Sequence, residues 1–295
     1  MPFNCRLPVW PLGPLVALLV LIALIPALSW QHPTVPEDGY LILQGGGPAV
    51  PPILKDYLSY AGGAATNAVL IPTASEEAAE LAPDGREHLQ DRFRSFLGTA
   101  DVTVLHTLDP KRADSEEFTA PIRRATLVWL MGGDDQLLAD TYHGTRTERE
   151  IRAVLSRGGI VGGSSAGANI CGAFVFTHPT GQEATPLNDL AHYLLPLGFD
   201  FIHQSALMSH FSQRHLEKAI PKIREVHPEL LVIGLDEATS IVVHNGIFAV
   251  AGQGTVSVYG PMQASGLQQP LVLKDGQRFD LAKQGVVSLG TDRSK

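Results

Sequence analysis

From residue 40 to residue 162, short apolar runs alternate with stretches whose apolar positions recur at helical spacing. The apolar runs predict strands at Tyr40–Gln44, Ala68–Pro72, Val102–His106, Ala125–Met131 and Gly159–Gly162. The stretches between them predict helices at Val50–Tyr60, Arg86–Leu97, Gln136–Tyr142 and Thr147–Arg157. Repeated strand–helix alternation is typical of a mostly parallel central sheet with helices on both faces. Because the runs are continuously apolar, we expect these strands to be buried on both sides.

The last third of the chain has a different pattern. Short apolar or alternating runs predict strands at Leu231–Leu235, Ser240–His244, Ile247–Ala251, Thr255–Tyr259 and Leu271–Leu273. Asn245-Gly246 and Asp275-Gly276 are hairpin signals, since both pairs tolerate the positive φ angles of tight turns. We therefore expect antiparallel strands added at the edge of the sheet rather than a separate domain.

The amino terminus has the character of a targeting segment. No charged side chain occurs from Leu7 to Trp30, and Leu15–Ile25 is a run of eleven aliphatic residues. That length is typical of a signal peptide, and Ala27-Leu28-Ser29 offers small residues for cleavage. With its flanks the apolar window reaches about 20 residues, so an uncleaved anchor over residues 8–30 is the alternative.

The predicted organisation follows from that segment. Residues 1–30 are a signal peptide or membrane anchor, residues 31–39 a linker, and residues 40–295 a single α/β domain. We expect an exported protein, periplasmic or secreted, that contacts a membrane only through residues 8–30 if they stay attached.

Composition and short motifs argue against several classes of partner and site. The net charge is −8 without a strongly basic stretch, which argues against a nucleic-acid partner. Two cysteines, Cys5 and Cys171, exclude a disulfide framework. Neither a His-Glu-x-x-His motif nor a cysteine pair with metal-ligand spacing occurs, so we expect no metal and no cofactor.

A candidate nucleophile lies where a predicted strand meets a predicted helix. Gly163-Ser164-Ser165-Ala166-Gly167 fits Gly-x-Ser-x-Gly, and a helical pattern can run from Ala166 to Phe174. In that context the central serine occupies a sharp turn at the carboxyl edge of the sheet, and the small flanking residues let the turn close. A glycine-rich turn that only binds a ligand is the alternative.

A serine nucleophile needs a base and a site for the oxyanion. Spacing alone selects none of the histidines, but His210 follows a strand-like run and so lies at the same sheet edge as Ser165. Two glycine-rich loops, Gly45–Gly47 and Gly132–Gly133, also follow predicted strands at that edge. The N–H groups of Gly133 and Ala166 are the candidate oxyanion hole.

These motifs resemble the cyanophycinase and aspartyl dipeptidase (peptidase E) family of serine peptidases. The matching blocks are Gln44–Gly47, Ile71–Ser75, Gly132–Asp134, Gly162–Ala168, His210–Arg214 and Gly234–Thr239. The resemblance implies a fold like class I glutamine amidotransferases, of the flavodoxin type, with Ser165 as nucleophile and His210 as base. It implies that Glu183 orients the histidine, with Asp236 and Glu237 as alternatives. It also implies a peptide or isopeptide substrate and suggests a homodimer.

The specificity residues depart from that family. Met208-Ser209 replaces its Asp-Gln pair before the histidine, its Gly-Gly-Asp-Gln loop reads Gly-Gly-Asp-Asp, and only Arg214 remains of its arginine set. The candidate substrate-binding residues are Asp134, Asp135, Gln136, Ser209 and Arg214. We expect an exopeptidase acting at α- or β-aspartyl residues with an altered pocket. The alternatives are an α/β-hydrolase-type esterase and a non-catalytic exported peptide-binding protein.

Overall fold

The computed structural model describes residues 38–47, 51–75, 83–98, 101–177, 189–262 and 269–287, which all belong to one structural unit. In chain order its strands are β1 Tyr40–Gln44, β2 Asn67–Ile71, β3 Asp101–Val104, β4 Leu127–Leu130, β5 Ile160–Ser164, β6 Gly172–Phe176, β7 Leu194–Leu195, β8 Ile202–Ser209, β9 Leu231–Leu235, β10 Thr239–His244, β11 Ile247–Gly252, β12 Val256–Tyr259, β13 Leu271–Leu273, β14 Arg278–Asp280 and β15 Gly285–Val286. The helices are α1 Leu54–Tyr57, α2 Pro83–Leu97, α3 Pro110–Ala113, α4 Glu116–Arg124, α5 Asp135–Tyr142, α6 Arg146–Ser156, α7 Ala166–Asn169 and α8 Ile220–Val226. Short 3-10 helices cover Leu58–Ala61, Gly63–Ala65, Leu190–Tyr193 and Leu216–Ala219.

The larger sheet has the strand order β15-β14-β11-β10-β1-β5-β4-β2-β3. Strands β1, β5, β4, β2 and β3 are parallel, and β10 continues the sheet in antiparallel pairing with β1. The predicted mixed α/β fold with a parallel central sheet is thereby confirmed. The five expected strands of the first half all form, with shifts of up to two residues at their ends.

The strands of this sheet are buried on both faces, as their apolar runs predicted. Leu41 and Leu43 of β1 pack in one hydrophobic cluster, while Ile42 between them packs in another. The same alternation places Val128 on one face of β4 and Trp129 on the opposite face. Side chains that alternate along a strand point to opposite faces, so helices must cover both sides of the sheet.

A second, six-stranded sheet corrects the prediction for the last third of the chain. Its order is β13-β12-β9-β8-β6-β7, and β8 pairs in parallel with both β6 and β9. The expected edge strands divide between the two sheets: β10 and β11 extend the larger one, whereas β9, β12 and β13 belong to the second. Runs of similar composition do not encode which neighbour they pair with.

The helix expected after Ser165 is shorter than predicted. It ends at Asn169, and Gly172–Phe176 is strand β6 instead. At Gly172 a Cβ would lie 3.1 Å from the Ser205 carbonyl oxygen, so β6 and β8 approach closely there. Tertiary strand pairing has overridden the local helical pattern. Helices α3 and α4 were not predicted.

Several predictions fall on other parts of the chain. The leader 1–30, most of the linker 31–39 and Glu183 lie outside the described residues. Among the helices within the described ranges, none combines the length and apolar character needed to cross a membrane. Cys171 is described, and its thiol is free and buried.

Candidate active site

Ser165 lies in the sharp turn that joins β5 to α7. Its backbone has φ 53° and ψ −122°, and its N–H donates to the Gln44 carbonyl oxygen of β1 at 3.0 Å. A Cβ on Gly163 would lie 2.2 Å from the Gly167 oxygen, and a Cβ on Gly167 would lie 2.1 Å from the Leu130 oxygen. The glycines of Gly-x-Ser-x-Gly are therefore required sterically, and they let the turn present Ser165 at the carboxyl edge of the sheet.

His210 follows β8 at the same edge. It has φ 54°, and its N–H donates to the Gly45 carbonyl oxygen at 2.7 Å. Its Nε2 is 2.9 Å from Ser165 Oγ, although the two residues are 45 positions apart. The structure therefore brings the predicted nucleophile and base into hydrogen-bond contact.

Glu237, in the turn after β9, completes a hydrogen-bonded chain. Its Oε1 is 2.6 Å from His210 Nδ1. Because an ionised carboxylate only accepts hydrogen bonds, Nδ1 is the protonated ring nitrogen and Nε2 accepts from the Ser165 hydroxyl. Only 15% of the His210 side chain is exposed, against 44% for Glu237. Glu237 was one of two alternatives for this position.

Asp236, the other alternative, has a different set of contacts. Its Oδ1 accepts from the Ser212 N–H and hydroxyl, and its Oδ2 accepts from the Thr255 N–H and hydroxyl. Burial alone would raise the pKa of Asp236, but these four hydrogen bonds together hold the pKa below its usual value. Asp236 therefore ties the turn that follows His210 to the segment that precedes β12.

The two predicted glycine loops lie beside the Ser165–His210 pair. Gly46 has φ +118°, its oxygen accepts from Ala238 N–H at 2.9 Å, and a Cβ on it would lie 2.2 Å from His210 Cε1. In the other loop, a Cβ on Gly132 would lie 2.9 Å from Ser165 Cβ. Within the described part of the chain, the N–H groups of Gly133 and Ala166 have no hydrogen-bond partner. Their role as the oxyanion hole stays a prediction.

The candidate substrate-binding residues have different surroundings. Asp134 caps α5 by accepting from Gln136 N–H at 2.7 Å. Ser209 is buried, and its Oγ is 2.7 Å from Asn169 Oδ1 and 3.1 Å from the Ser165 carbonyl oxygen. Arg214 is exposed, and Gln136 is half-buried. Ser209 thus supports the turn that carries Ser165, and its predicted contact with substrate is not tested.

Two supporting residues were missed in the sequence. Asn169 Oδ1 also accepts from Ser209 N–H at 3.1 Å, and Gln213 Oε1 accepts from Glu237 N–H at 3.2 Å. Asn169 lies four residues after Ser165, one helical turn along the same face, and this spacing was the available signal. Among the residues that the structure describes, no group of three or more His, Cys, Asp or Glu side chains could hold a metal ion.

Residues 41–250 match the model of the family described as "Peptidase family S51". The chain belongs to peptidase family S51. The matched range includes Ser165, His210 and Glu237, and the resemblance drawn from the motifs is confirmed. Membership of family S51 and the names of the relatives support a serine-type peptidase.

The S51 relatives carry names that agree with those motifs. The chain is 30% identical over 216 residues to a cyanophycinase from Synechococcus elongatus, covering 72% of this chain and 64% of that protein. It therefore spans slightly less than two thirds of that relative's length. It is 30% identical over 165 residues to peptidase E from Salmonella paratyphi A, covering 54% of this chain and 68% of that one. A solved peptidase from an acI-B1 Actinobacterium shares the fold, with a TM-score of 0.63, 24% identity and coverage of 83% of this chain and 98% of that one.

Proposed function

We propose that this protein is a serine exopeptidase that hydrolyses peptide or isopeptide bonds at aspartyl residues. The observation that carries the proposal is the continuous chain of hydrogen bonds from Ser165 Oγ through the His210 ring to Glu237. A hydroxyl, an imidazole and a carboxylate in that order are the groups that acyl transfer through a serine requires.

The geometry supports an acyl-enzyme mechanism. His210 Nε2 accepts the proton of Ser165 while Oγ attacks the scissile carbonyl carbon. The oxyanion of the tetrahedral intermediate is held by the N–H groups of Gly133 and Ala166. His210 then gives its proton to the leaving amine, and water repeats the sequence on the ester to release the acid.

The choice of an aspartyl substrate rests on the motifs shared with cyanophycinase and peptidase E. The changed residues around the site, Met208-Ser209 and Asp135 among them, support a substrate that differs from cyanophycin itself. A site built for a particular polar group discriminates strongly against ligands that leave its buried groups unpaired.

Glu237 is the orienting acid that the described geometry favours, and Glu183 is the alternative that the resemblance implies. Glu237→Gln keeps the shape but removes the charge, so His210 loses the preference for the tautomer with a free Nε2. We expect kcat to fall roughly 100-fold or more, by analogy with other triads. Glu183→Gln is the matched comparison. A large loss in that variant and little loss in Glu237→Gln would assign the role to Glu183.

The test of the proposed activity compares the protein with Ser165→Ala. Both are incubated with cyanophycin, with α- and β-aspartyl peptides and with p-nitrophenyl esters, and products are read by mass spectrometry. Cleavage of aspartyl peptides by the parent alone is the expected result. Hydrolysis of esters alone would favour the esterase. Peptide binding without turnover, unchanged by Ser165→Ala, would favour the non-catalytic binding protein.

We further propose that residues 1–30 direct export, on the strength of their uncharged apolar run. Fusion of these residues to a reporter that is active only outside the cytoplasm tests this. Replacing two leucines of Leu15–Ile25 with arginine should retain the reporter inside the cell. The size of the exported protein would distinguish a cleaved signal peptide from an anchor.

A further inference from the structure

The short loop that carries Gly133, a candidate oxyanion donor, is held at both ends by the segment that follows β2. Met131 N–H donates to the Ile71 carbonyl oxygen at 2.9 Å, and Asp134 N–H donates to the Ala74 carbonyl oxygen at 2.9 Å. Two glycines lie between these two bonds. A Cβ on Gly133 would lie 1.8 Å from the Ala74 oxygen, so the loop and the segment are in direct contact. The position of the Gly133 N–H is therefore set by the segment after β2.

Thr73, in the middle of that segment, is anchored through its hydroxyl group. The Thr73 side chain is fully buried, and its Oγ1 is 2.6 Å from the Tyr142 hydroxyl oxygen and 3.1 Å from His106 Nδ1. Tyr142 is the last residue of α5 and is also fully buried, while His106 follows β3. One hydroxyl group thus joins the segment to a helix on one side and to the end of the neighbouring strand on the other.

Helix α5 is bound at both of its ends to adjacent residues of this segment. At its amino end the N-cap residue, Asp134, donates its N–H to Ala74, and at its carboxyl end the Tyr142 hydroxyl group contacts Thr73. Helical side chains point back toward the amino terminus of their helix, which lets the Tyr142 ring reach Thr73 from the last position of α5. Helix, segment and glycine loop therefore form one closed unit, and a shift at Thr73 moves the Gly133 peptide with it.

Both partners of the Thr73 hydroxyl group are uncharged near neutral pH. Burial raises the pKa of Tyr142 to about 12, although hydrogen bonds with Thr73 and with the Thr107 backbone oppose the rise. Burial lowers the pKa of His106, and the charges of Arg86 and Arg112 lower it further. The hydrogen bonds of Thr73 therefore keep one arrangement at the pH at which a histidine base is unprotonated.

We propose that Thr73 is a positioning residue for the acyl-transfer step: its hydroxyl group holds the Ala74 oxygen in place, and through it the Gly133 N–H that binds the oxyanion. This inference rests on the proposed peptidase function and adds a residue outside the hydrogen-bonded chain of Ser165, His210 and Glu237. An oxyanion donor acts only within hydrogen-bond distance of the developing charge, so a displacement of about 1 Å weakens catalysis. Loss of an interaction made only in the transition state lowers kcat and leaves KM unchanged.

The experiment compares Thr73→Val, which removes the hydroxyl group and keeps the shape, with Thr73→Ser, which keeps the hydroxyl group. We expect Thr73→Val to lower kcat on the best aspartyl peptide roughly tenfold to 100-fold while KM stays within about twofold of the parent value. Thr73→Ser should restore kcat to within about threefold of the parent. A rise in KM with kcat unchanged, or equal losses of kcat in the two variants, would overturn the inference.

The rate at which a fluorophosphonate probe labels Ser165 is a second readout that needs no peptide substrate. The phosphoryl oxygen of the probe occupies the oxyanion position during attack, so Thr73→Val should slow labelling by a factor similar to the fall in kcat. An unchanged labelling rate in folded Thr73→Val would overturn this inference alone. A parent protein in which Ser165 is not labelled would overturn the proposed function as well.

Thr147→Val is the matched control. Thr147 is another fully buried threonine, and its Oγ1 donates to the Ala113 carbonyl oxygen at 2.6 Å. This variant should lose stability, as Thr73→Val does, while kcat and the labelling rate stay unchanged. A similar loss of kcat in Thr147→Val would assign both effects to stability and overturn the inference.

Tyr142→Phe tests the same contact from its other end and serves where Thr73→Val does not fold. It removes the hydroxyl group that contacts Thr73 and keeps the ring, which is stacked on Phe118 at a centroid distance of 6.5 Å. The labelling rate should fall at least about threefold in this variant. An unchanged rate in folded Tyr142→Phe would overturn the inference.

Discussion

Replacement of Gly46 by alanine should displace the His210 ring while leaving the histidine itself unchanged. A Cβ at residue 46 would lie 2.2 Å from His210 Cε1 and 2.7 Å from each ring nitrogen. To restore an ordinary contact of 3.4 Å, the ring must retreat by about 1.2 Å, the difference between 3.4 and 2.2 Å. That movement would disrupt hydrogen bonds that are now 2.9 Å to Ser165 and 2.6 Å to Glu237.

The expected loss in kcat/KM is roughly 100-fold to 10,000-fold, because a displaced base no longer accepts the serine proton. The φ of +118° at residue 46 adds strain of about 1–3 kcal/mol to the folded state. The assay measures kcat/KM on the best aspartyl peptide, together with the rate at which a fluorophosphonate probe labels Ser165. Circular dichroism and denaturant unfolding confirm that the variant is folded.

Gly144→Ala is the matched control. Gly144 also has a positive φ, +72°, but no atom of the described residues lies within 4 Å of the position its Cβ would occupy. It should lose some stability through backbone strain and keep its activity. If folded Gly46→Ala retained kcat/KM within threefold of the parent, the steric coupling between Gly46 and His210 would be refuted.

Three further predictions concern charges and contacts around the site. Asp236→Asn should lower the free energy of unfolding by about 2–4 kcal/mol at neutral pH, since four hydrogen bonds lose their charged acceptor. Because the pKa of Asp236 is lowered in the folded protein, its carboxylate stabilises the fold above the unfolded pKa of roughly 4, and this stabilisation is lost as pH falls below that value. The free energies of unfolding of parent and variant are compared in urea, and a difference that stayed constant down to pH 2 would contradict this prediction. Burial raises the pKa of the Asp135 carboxyl to about 7 in the folded protein. The stabilisation of the fold by the protonated carboxyl is therefore complete below pH ~4 and is lost as pH rises through 7. Asp135→Asn, which has no charge to bury, should be thermally more stable than the parent between about pH 5 and pH 8. Ser209→Ala should lower the free energy of unfolding by about 1 kcal/mol, because the Ser209 hydroxyl hydrogen-bonds Asn169 and the Ser165 carbonyl oxygen. It should also lower kcat more than it raises KM, whereas a change in KM alone would indicate that Ser209 contacts the substrate.

Features that depend on neighbours along the chain could be predicted from the sequence alone. Strands buried on both faces require continuous apolar runs, so the parallel core was predictable from its pattern. The turn at Ser165 requires glycine at positions 163 and 167, because any Cβ there would collide with backbone oxygens. That requirement appears directly in the residues, which is why the nucleophile could be proposed without a structure.

Which distant side chains meet depends on how the folded strands pair. The chain has eleven histidines, and the pairing of β8 with β9 and β6 is what delivers His210 to Ser165 across 45 residues. Asp236 and Glu237 are adjacent carboxylates of similar chemistry, but successive side chains at a strand end point in different directions. One therefore binds Ser212 and Thr255 while the other reaches the imidazole. No pattern along the chain distinguishes the two, because their roles follow from the direction in which the folded backbone points each side chain.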